Sequence, residues 1–136
     1  MASSVLKAPP DFEDLLRAPN TAVLGTVMGD GSLQGSPVWY WFDGERVHVS
    51  TVVARQKYRN LRRDPRLVLT VFDPAQPLRY IEIRGTAELN DDPAGDMRDR
   101  IAVKHGFPDG RMFDAPGDER VTVTIAPTRI RTSSRE

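Results

Sequence analysis

The sequence predicts a mainly β protein, an antiparallel barrel or strongly curled sheet with helices only at its crossovers. Three observations carry that expectation. Short runs rich in β-branched and aromatic residues recur between Gly, Pro and Asp turn signals, at residues 21–28, 33–42, 45–52, 66–72, 78–89 and 119–131. "GDGS" at 29–32 and "DG" at 43–44 read as hairpin turns, so the first three strands form an antiparallel meander. Helical spacing is confined to three other segments. A barrel of this size fills its own interior with side chains, which leaves ligands to its outside or to a subunit interface.

In chain order, "PPDFEDLLRAP" opens a helix. Pro10 and Asp11 suit its start, acids fill its first turn, and Phe12, Leu15 and Leu16 share a face. From Ala54 the apolar period changes from two to 3.6. Ala54, Tyr58 and Leu61 recur at i, i+4 and i+7, predicting an amphipathic helix over 54–64 that Pro65 ends. "DPAQP" at 73–77 reads as a loop. In the strand after it, Ile81 and Ile83 point one way while Tyr80, Glu82 and Arg84 point the other. Residues 92–106 read as a helix and 107–118 as a loop rich in Gly, Pro and Asp.

The length fits a single domain over 1–136, with residues 1–10 as an N-terminal tail and 133–136 as a C-terminal tail. With 39% hydrophobic and 28% charged residues, the chain falls in the ordinary globular class. Its 19 Lys+Arg balance 19 Asp+Glu, which argues against bulk attraction to nucleic acid or a membrane surface. There is no cysteine, so disulfides, thiolate metal sites and a cysteine nucleophile are excluded, and a reducing cytoplasmic setting fits. No stretch has the apolar length of a transmembrane span or of a signal-peptide core.

Against that balance, one stretch stands out. "STVVARQKYRNLRRDPR", residues 50–66, holds Arg55, Lys57, Arg59, Arg62, Arg63 and Arg66 against the single acid Asp64. The predicted strand runs into the predicted helix here, and a helix start offers unpaired N–H groups and partial positive charge to an anion. Arg55 and Lys57 flank the apolar face, where a guanidinium fork and an ammonium can straddle one phosphate, with Ser50 and Thr51 adding hydroxyl donors. A charge run is usually a solvated helix face. This helix, however, has no acids at i±4 to offset like-charge repulsion, so the cluster needs acids from elsewhere in the fold or an anionic ligand. A single aromatic, Tyr58, falls among the basics and the overall charge is zero, which argues against nucleic acid.

"LQGSPVWYWF" carries Gly35 and Pro37 inside a strand. Proline cannot donate to a ladder, so the segment is an edge, a bulge or a ligand-facing stretch, and a flat ring can approach the backbone at Ser36, Pro37 and Val38. Trp39 and Trp41 share a strand face and read as core or interface residues. His48 and His105 lie on different elements without metal-ligand spacing and read as surface or core residues; no metal site is expected. No serine sits in a nucleophile elbow, "MGDGSLQG" lacks the helix of a dinucleotide fingerprint, and no acid–base pair is visible. A cofactor would therefore carry any chemistry.

The stretches "TAVLGTVMGDGSLQGSPVWYWFDGERVHVST", "ARQKYRNLRRDPRLVL" and "RYIEIRGTAEL" resemble the split-β-barrel flavin/deazaflavin oxidoreductases related to pyridoxamine-5'-phosphate oxidase. They are closest to the B-type branch, whose members use the deazaflavin coenzyme F420. The resemblance spans about residues 11–130, and "R-x-K-x-x-N-L-R-R-D-P-R" and "R-Y-I-E-I-R-G-T-A" are its most specific parts. It implies a split antiparallel β-barrel of the FMN-binding type, working as a homodimer. It also implies that Arg55 and Lys57 hold the cofactor's phosphate with Asn60 close by. Ser50 and Thr51 would meet the ribityl–phosphate region, Ser36, Pro37 and Val38 the ring system, and Tyr80 the partner subunit's site. The implied function is an F420H2-dependent reductase passing hydride to a small conjugated acceptor of the enone, quinone or tetrapyrrole type. FMN-dependent chemistry on the same fold, and a flavin- or deazaflavin-binding protein without turnover, are the alternatives. Solvent, Tyr40 and Tyr80 stand level as proton donors, and no catalytic residue is assigned. Residues 105–120 would shape the substrate side.

Overall fold

A computed structural model describes residues 6–134; residues 1–5 and 135–136 of the expected tails lie outside the described residues. A 3-10 turn, Pro10–Phe12, runs into a short helix α1, Glu13–Arg17, which buries Leu15 and Leu16. Seven strands follow: β1 Ala22–Val27, β2 Leu33–Val38, β3 Trp41–Phe42, β4 Val47–Val52, β5 Arg66–Asp73, β6 Gln76–Asp91 and β7 Arg120–Ser133. Helix α2, Gln56–Arg63, joins β4 to β5, and α3, Asp96–Lys104, lies between β6 and β7.

All the strands form one sheet in the order β2-β1-β5-β6-β7-β4-β3, with every neighbouring pair antiparallel. Connectivity forces this sheet to curl. Strands β2 and β3 are its opposite edges, yet only Trp39 and Tyr40 separate them in sequence. Three virtual bonds span about 11 Å at most, so the edges must come together, and the sheet becomes the split barrel that was expected.

The expected meander is therefore corrected. The two hairpins exist, but residues 33–42 are not one strand: Leu33–Val38 pairs with β1 and Trp41–Phe42 with β4. Tyr40 is the physical reason. Its ring is fully buried and its hydroxyl donates to the carbonyl oxygen of Leu15 at 2.6 Å, which draws the chain inward between the two edges. The proline logic holds, since Pro37 lies on an edge strand whose only ladder partner among the described residues is β1. The expected loop 73–77 contracts to a turn at Pro74 and Ala75, because β6 begins at Gln76.

Alternation along the strands supplies the core. Leu24, Leu69, Val71, Ile81, Val123 and Ile125 are all at most 1% exposed. Each such side chain contributes roughly 1.5–3 kcal/mol over its exposed state. Ile81 and Ile83 point inward and Glu82 and Arg84 away, as their spacing predicts. The register of β6 on β7 shifts between Arg84 and Gly85, and a Cβ at Gly85 would collide with the Ala126 carbonyl. That close approach accounts for the glycine of "RYIEIRGTA". Helix α3 is capped from outside by Asp92, whose carboxylate accepts from the Asp96 and Met97 amides at 2.9 and 3.1 Å. Among the described residues no helix is long and apolar enough to cross a membrane.

Candidate functional site

The site is built at the end of β4. Val47 and Val49 turn into the core, which leaves Ser50 half-buried on the other face, and a tight turn at Val53 and Ala54 leads to Arg55, the residue preceding α2. The amides of Gln56 and Lys57 find no carbonyl acceptor among the described residues, as at any helix start.

The inward face of α2 differs from the apolar triplet read from sequence. Ala54 lies before the helix and is exposed, and Tyr58 is only half-buried. Asn60 and Leu61 turn inward instead. Asn60 causes the rotation. It is fully buried, donates to Thr26 Oγ1 at 3.0 Å and Gln34 Oε1 at 3.4 Å, and accepts from Gln56 and Arg63 at 2.8 and 3.1 Å. A polar side chain with this many partners fixes the helix rotation better than an alanine can.

The basic residues of the stretch fall into two groups. Arg59 donates to the Ala54 carbonyl and Gln56 Oε1 at 2.6 and 2.8 Å. Arg62 donates to the Tyr58 hydroxyl, Arg63 to the Val27 carbonyl, and Arg66 pairs with Asp64 at 2.6 Å. Arg55 and Lys57 have no side-chain hydrogen bond or ion pair among the described residues. Burial, with the Arg55 guanidinium alongside, pulls the Lys57 ammonium below the usual lysine range. An anion there would relieve both the desolvation and the like-charge repulsion.

These two cations border a cleft of about 470 Å³, which is also lined by Pro37, Val38, Trp39, Ser50, Ile101 and Phe113. That volume lies in the range of small-molecule sites. Its apolar wall includes two aromatic side chains, Trp39 and Phe113. Trp39 stacks on His105 at 3.8 Å between ring centroids with planes 6° apart, and Phe107 and Phe113 pack on it at 5.9 Å each. Arg98 of α3 and Arg120 of β7 also line the cleft, and both are bound by Asp114. The Arg98–Asp114 and Arg120–Asp114 ion pairs are each 2.6 Å. Arg120 further donates to Ser50 Oγ at 3.3 Å, and Arg98 pairs with Asp99 at 3.0 Å, holding the Asp99 carboxyl below its usual range. The cleft thus joins an unneutralised cationic end to a flat apolar wall, which suits a ligand with an anionic group and a planar ring.

Of the residues singled out from sequence, Pro37, Val38, Ser50, Arg55 and Lys57 come together here. Ser36 is half-buried on β2 opposite Leu24, Thr51 is 4% exposed opposite Val121, and Asn60 spends its donors and acceptors inside the protein. Tyr80 lies on β6 between Phe72 and Ser133, outside the cleft lining.

A profile of the pyridoxamine 5'-phosphate oxidase family matches residues 8–134. The chain belongs to that family. Among solved structures, one described as an F420 reductase superposes with a TM-score of 0.80 at 34% identity, covering 91% of this chain and 98% of the other. A conserved hypothetical protein from Mycobacterium tuberculosis gives 0.77 at 25% identity, covering 98% and 88%. General stress protein 26 from Bacillus anthracis, at 18% identity with a TM-score of 0.69 and 92% of each chain covered, shares the fold alone. The architecture is that of flavin-type oxidoreductases.

The rest of the cleft was not visible in the family's motifs. Trp39 and Trp41 do not share a strand: Trp39 lies in the gap between β2 and β3 and faces the cleft, whereas Trp41 sits on β3 under the Arg100 guanidinium at 5.6 Å. His105, unremarkable in sequence, backs Trp39. Arg98, Asp114 and Arg120 come from three segments that no local pattern connects. Tyr40 is unavailable as a proton donor at the cleft, because it is fully buried, bonded to Leu15, and its phenol is pushed up by burial.

Proposed function

We propose that this protein is an F420H2-dependent reductase of small conjugated acceptors. The observation that supports it most is the pair Arg55 and Lys57, the two cations of the basic stretch left without partners, at a helix start on a cleft with an aromatic wall. The 34%-identical F420 reductase makes the deazaflavin the first choice for the phosphate-bearing group that this cleft fits.

When bound, the coenzyme supplies a hydride; the acceptor takes it up with a solvent proton and is reduced by two electrons. The chain's own residues bind and orient. Arg55 and Lys57 hold the phosphate with the first amides of α2, and Ser50, fixed by Arg120, offers a hydroxyl beside it. The backbone at Pro37 and Val38, with Ser36 next to them on β2, would border the ring, while Ile101, Ala102 and Phe113 would keep water from the reacting atoms. Thr51 and Asn60 support this end from beneath, as buried braces of β4 and α2.

A homodimer belongs to the same proposal. Val23, Leu33, Phe72 and Leu78 leave 38–81% of their surfaces exposed, an apolar area that fits a second copy and would carry Tyr80 toward the partner's site. Light scattering should give twice the monomer mass at micromolar concentration.

The decisive experiment is titration with F420 and with FMN, followed by F420H2 oxidation against quinones and enones. Tighter binding of F420, weakened by salt, together with turnover is the expected outcome. Equal or tighter FMN binding with a flat salt response would replace the reading by an FMN-dependent one on the same fold.

A further inference from the structure

Trp39 occupies an unusual position for a residue lining a binding cleft. It belongs to no strand, since β2 ends at Val38 and β3 begins at Trp41, so no ladder fixes its backbone between two fixed ends. Its ring must be held by packing, and His105 supplies the largest flat contact, parallel within 6° at 3.8 Å. Phe107 and Phe113 pack against it at 5.9 Å each, themselves edge to face at 5.3 Å. His105 does not line the cleft, whereas Trp39 and Phe113 do. One face of the indole is thus covered by His105, while Trp39 itself is half-buried and lines the cleft.

One nitrogen of the imidazole goes unused. Nε2 of His105 is buried and has no hydrogen-bond partner among the described residues. Burial and the neighbouring Lys104 charge hold the ring toward its neutral form. A nitrogen left unsatisfied in this way costs free energy, so the ring's contribution lies in its flat face.

We propose that His105 is a positioning residue that holds Trp39 as the plate on which the hydride acceptor stacks, which makes that acceptor a planar conjugated ring rather than an aliphatic carbonyl compound. The proposal rests on the reductase reading for the word acceptor, and its test separates the two. In a Trp41→Phe background Trp39 is the sole indole, because the chain has two tryptophans. Its quenching by menadione without cofactor reads stacking on the plate alone. F420 affinity, from the coenzyme's own fluorescence, and the kcat and KM for menadione with F420H2 read the rest.

His105→Ala should weaken menadione quenching and raise its KM roughly three- to tenfold, the scale of one aromatic stack, with kcat and F420 affinity changed less than about twofold. His105→Phe, which keeps a flat ring, should restore both, and Trp39→Leu should reproduce the loss in KM. If His105→Ala fails to fold by circular dichroism, His105→Phe and Trp39→Leu carry the test. Unchanged menadione KM in Trp39→Leu, or a loss in His105→Phe as large as in His105→Ala, overturns the plate. A wild type that quenches with menadione but neither binds F420 nor oxidises F420H2 keeps the plate and removes the reductase reading.

Discussion

Two pairs of cations line the same cleft and differ in whether the fold supplies them a carboxylate. Arg98 and Arg120 share one carboxylate, Asp114, through ion pairs of 2.6 Å each, and their side chains are only 12% exposed. Arg55 and Lys57 have no carboxylate at all among the described residues. Residue type is nearly the same, so the difference lies in what the fold has already supplied. The paired arginines tie α3, the 107–118 loop and β7 into one wall. The unpaired cations hold uncompensated charge at a helix start, a cost that an anionic ligand would offset.

The sharpest way to break this comparison is Asp114→Asn. Two poorly exposed guanidiniums would lose their shared carboxylate, and the unfolding free energy should fall by about 2–3 kcal/mol. Chemical denaturation checks it. An unchanged midpoint would mean that the paired wall is not structural, and the contrast with Arg55 and Lys57 would collapse.

Next in size are Lys57→Ala and Arg55→Ala. Each removes one charge-assisted contact to phosphate, about 1.5–3 kcal/mol, so F420 affinity should drop roughly ten- to hundredfold. Thermal stability should hold or rise slightly, because neither side chain has a partner to lose and each relieves repulsion with the other. Unchanged affinity in both variants would remove the anion site.

Lys104 is a third kind of cation, bonded only to neutral groups. Its ammonium donates to the Leu16 and Tyr40 carbonyls at 3.1 and 3.2 Å and sits 3.9 Å from the Tyr40 ring centroid. Burial lowers its pKa to about 8, against 10.5 for a free lysine. Between those values the unfolded chain binds more protons than the folded one, so this group makes stability rise with pH from about 8 toward 10.5. Lys104→Met should abolish that rise, a difference on the order of 1 kcal/mol between pH 8 and 10 after allowance for solvent screening. Tyr40, whose phenol is pushed up by burial, acts in the opposite sense only above its ordinary value of 10, at the upper edge of the pH range compared. Denaturation midpoints for the two proteins at pH 7, 8, 9 and 10 decide it, and parallel curves would refute it.

What was legible in the sequence follows from the range of the forces involved. Alternation of Ile81 and Ile83 with Glu82 and Arg84, the "GDGS" and "DG" turns, and Pro65 ending α2 are local, and each appears where the residues predict it. The strand–helix junction with Arg55 and Lys57 was readable for the same reason. Tyr40 was not: its inward turn depends on Leu15, 25 residues away, and that contact splits the predicted strand and sends its halves to opposite sheet edges. The rotation of α2 depends on Asn60 reaching Thr26, 34 residues away, which an apolar count along the helix cannot register. The Trp39–His105 stack and the Asp114 pairs likewise join residues that only the closed barrel brings together. Long-range side-chain pairing, more than secondary structure, separates the expected site from the observed one.

The smallest expected effect is the most exact test of the opening comparison. Arg59 lies on the same helix as Lys57, two residues further on, carries the same charge and is exposed. Its guanidinium is already committed to the Ala54 carbonyl at 2.6 Å and to Gln56 Oε1 at 2.8 Å. If partner state governs binding, Arg59→Ala should change F420 affinity by less than about twofold, the scale left to screened long-range attraction at physiological salt. Removing two exposed hydrogen bonds should lower stability by only a few tenths of a kcal/mol, about the usual limit for surface substitutions. F420 titration of Lys57→Ala and Arg59→Ala in the same buffer makes the test. A loss for Arg59→Ala as large as that for Lys57→Ala would show that position along the basic helix, and not a missing partner, selects the residues that grip the ligand.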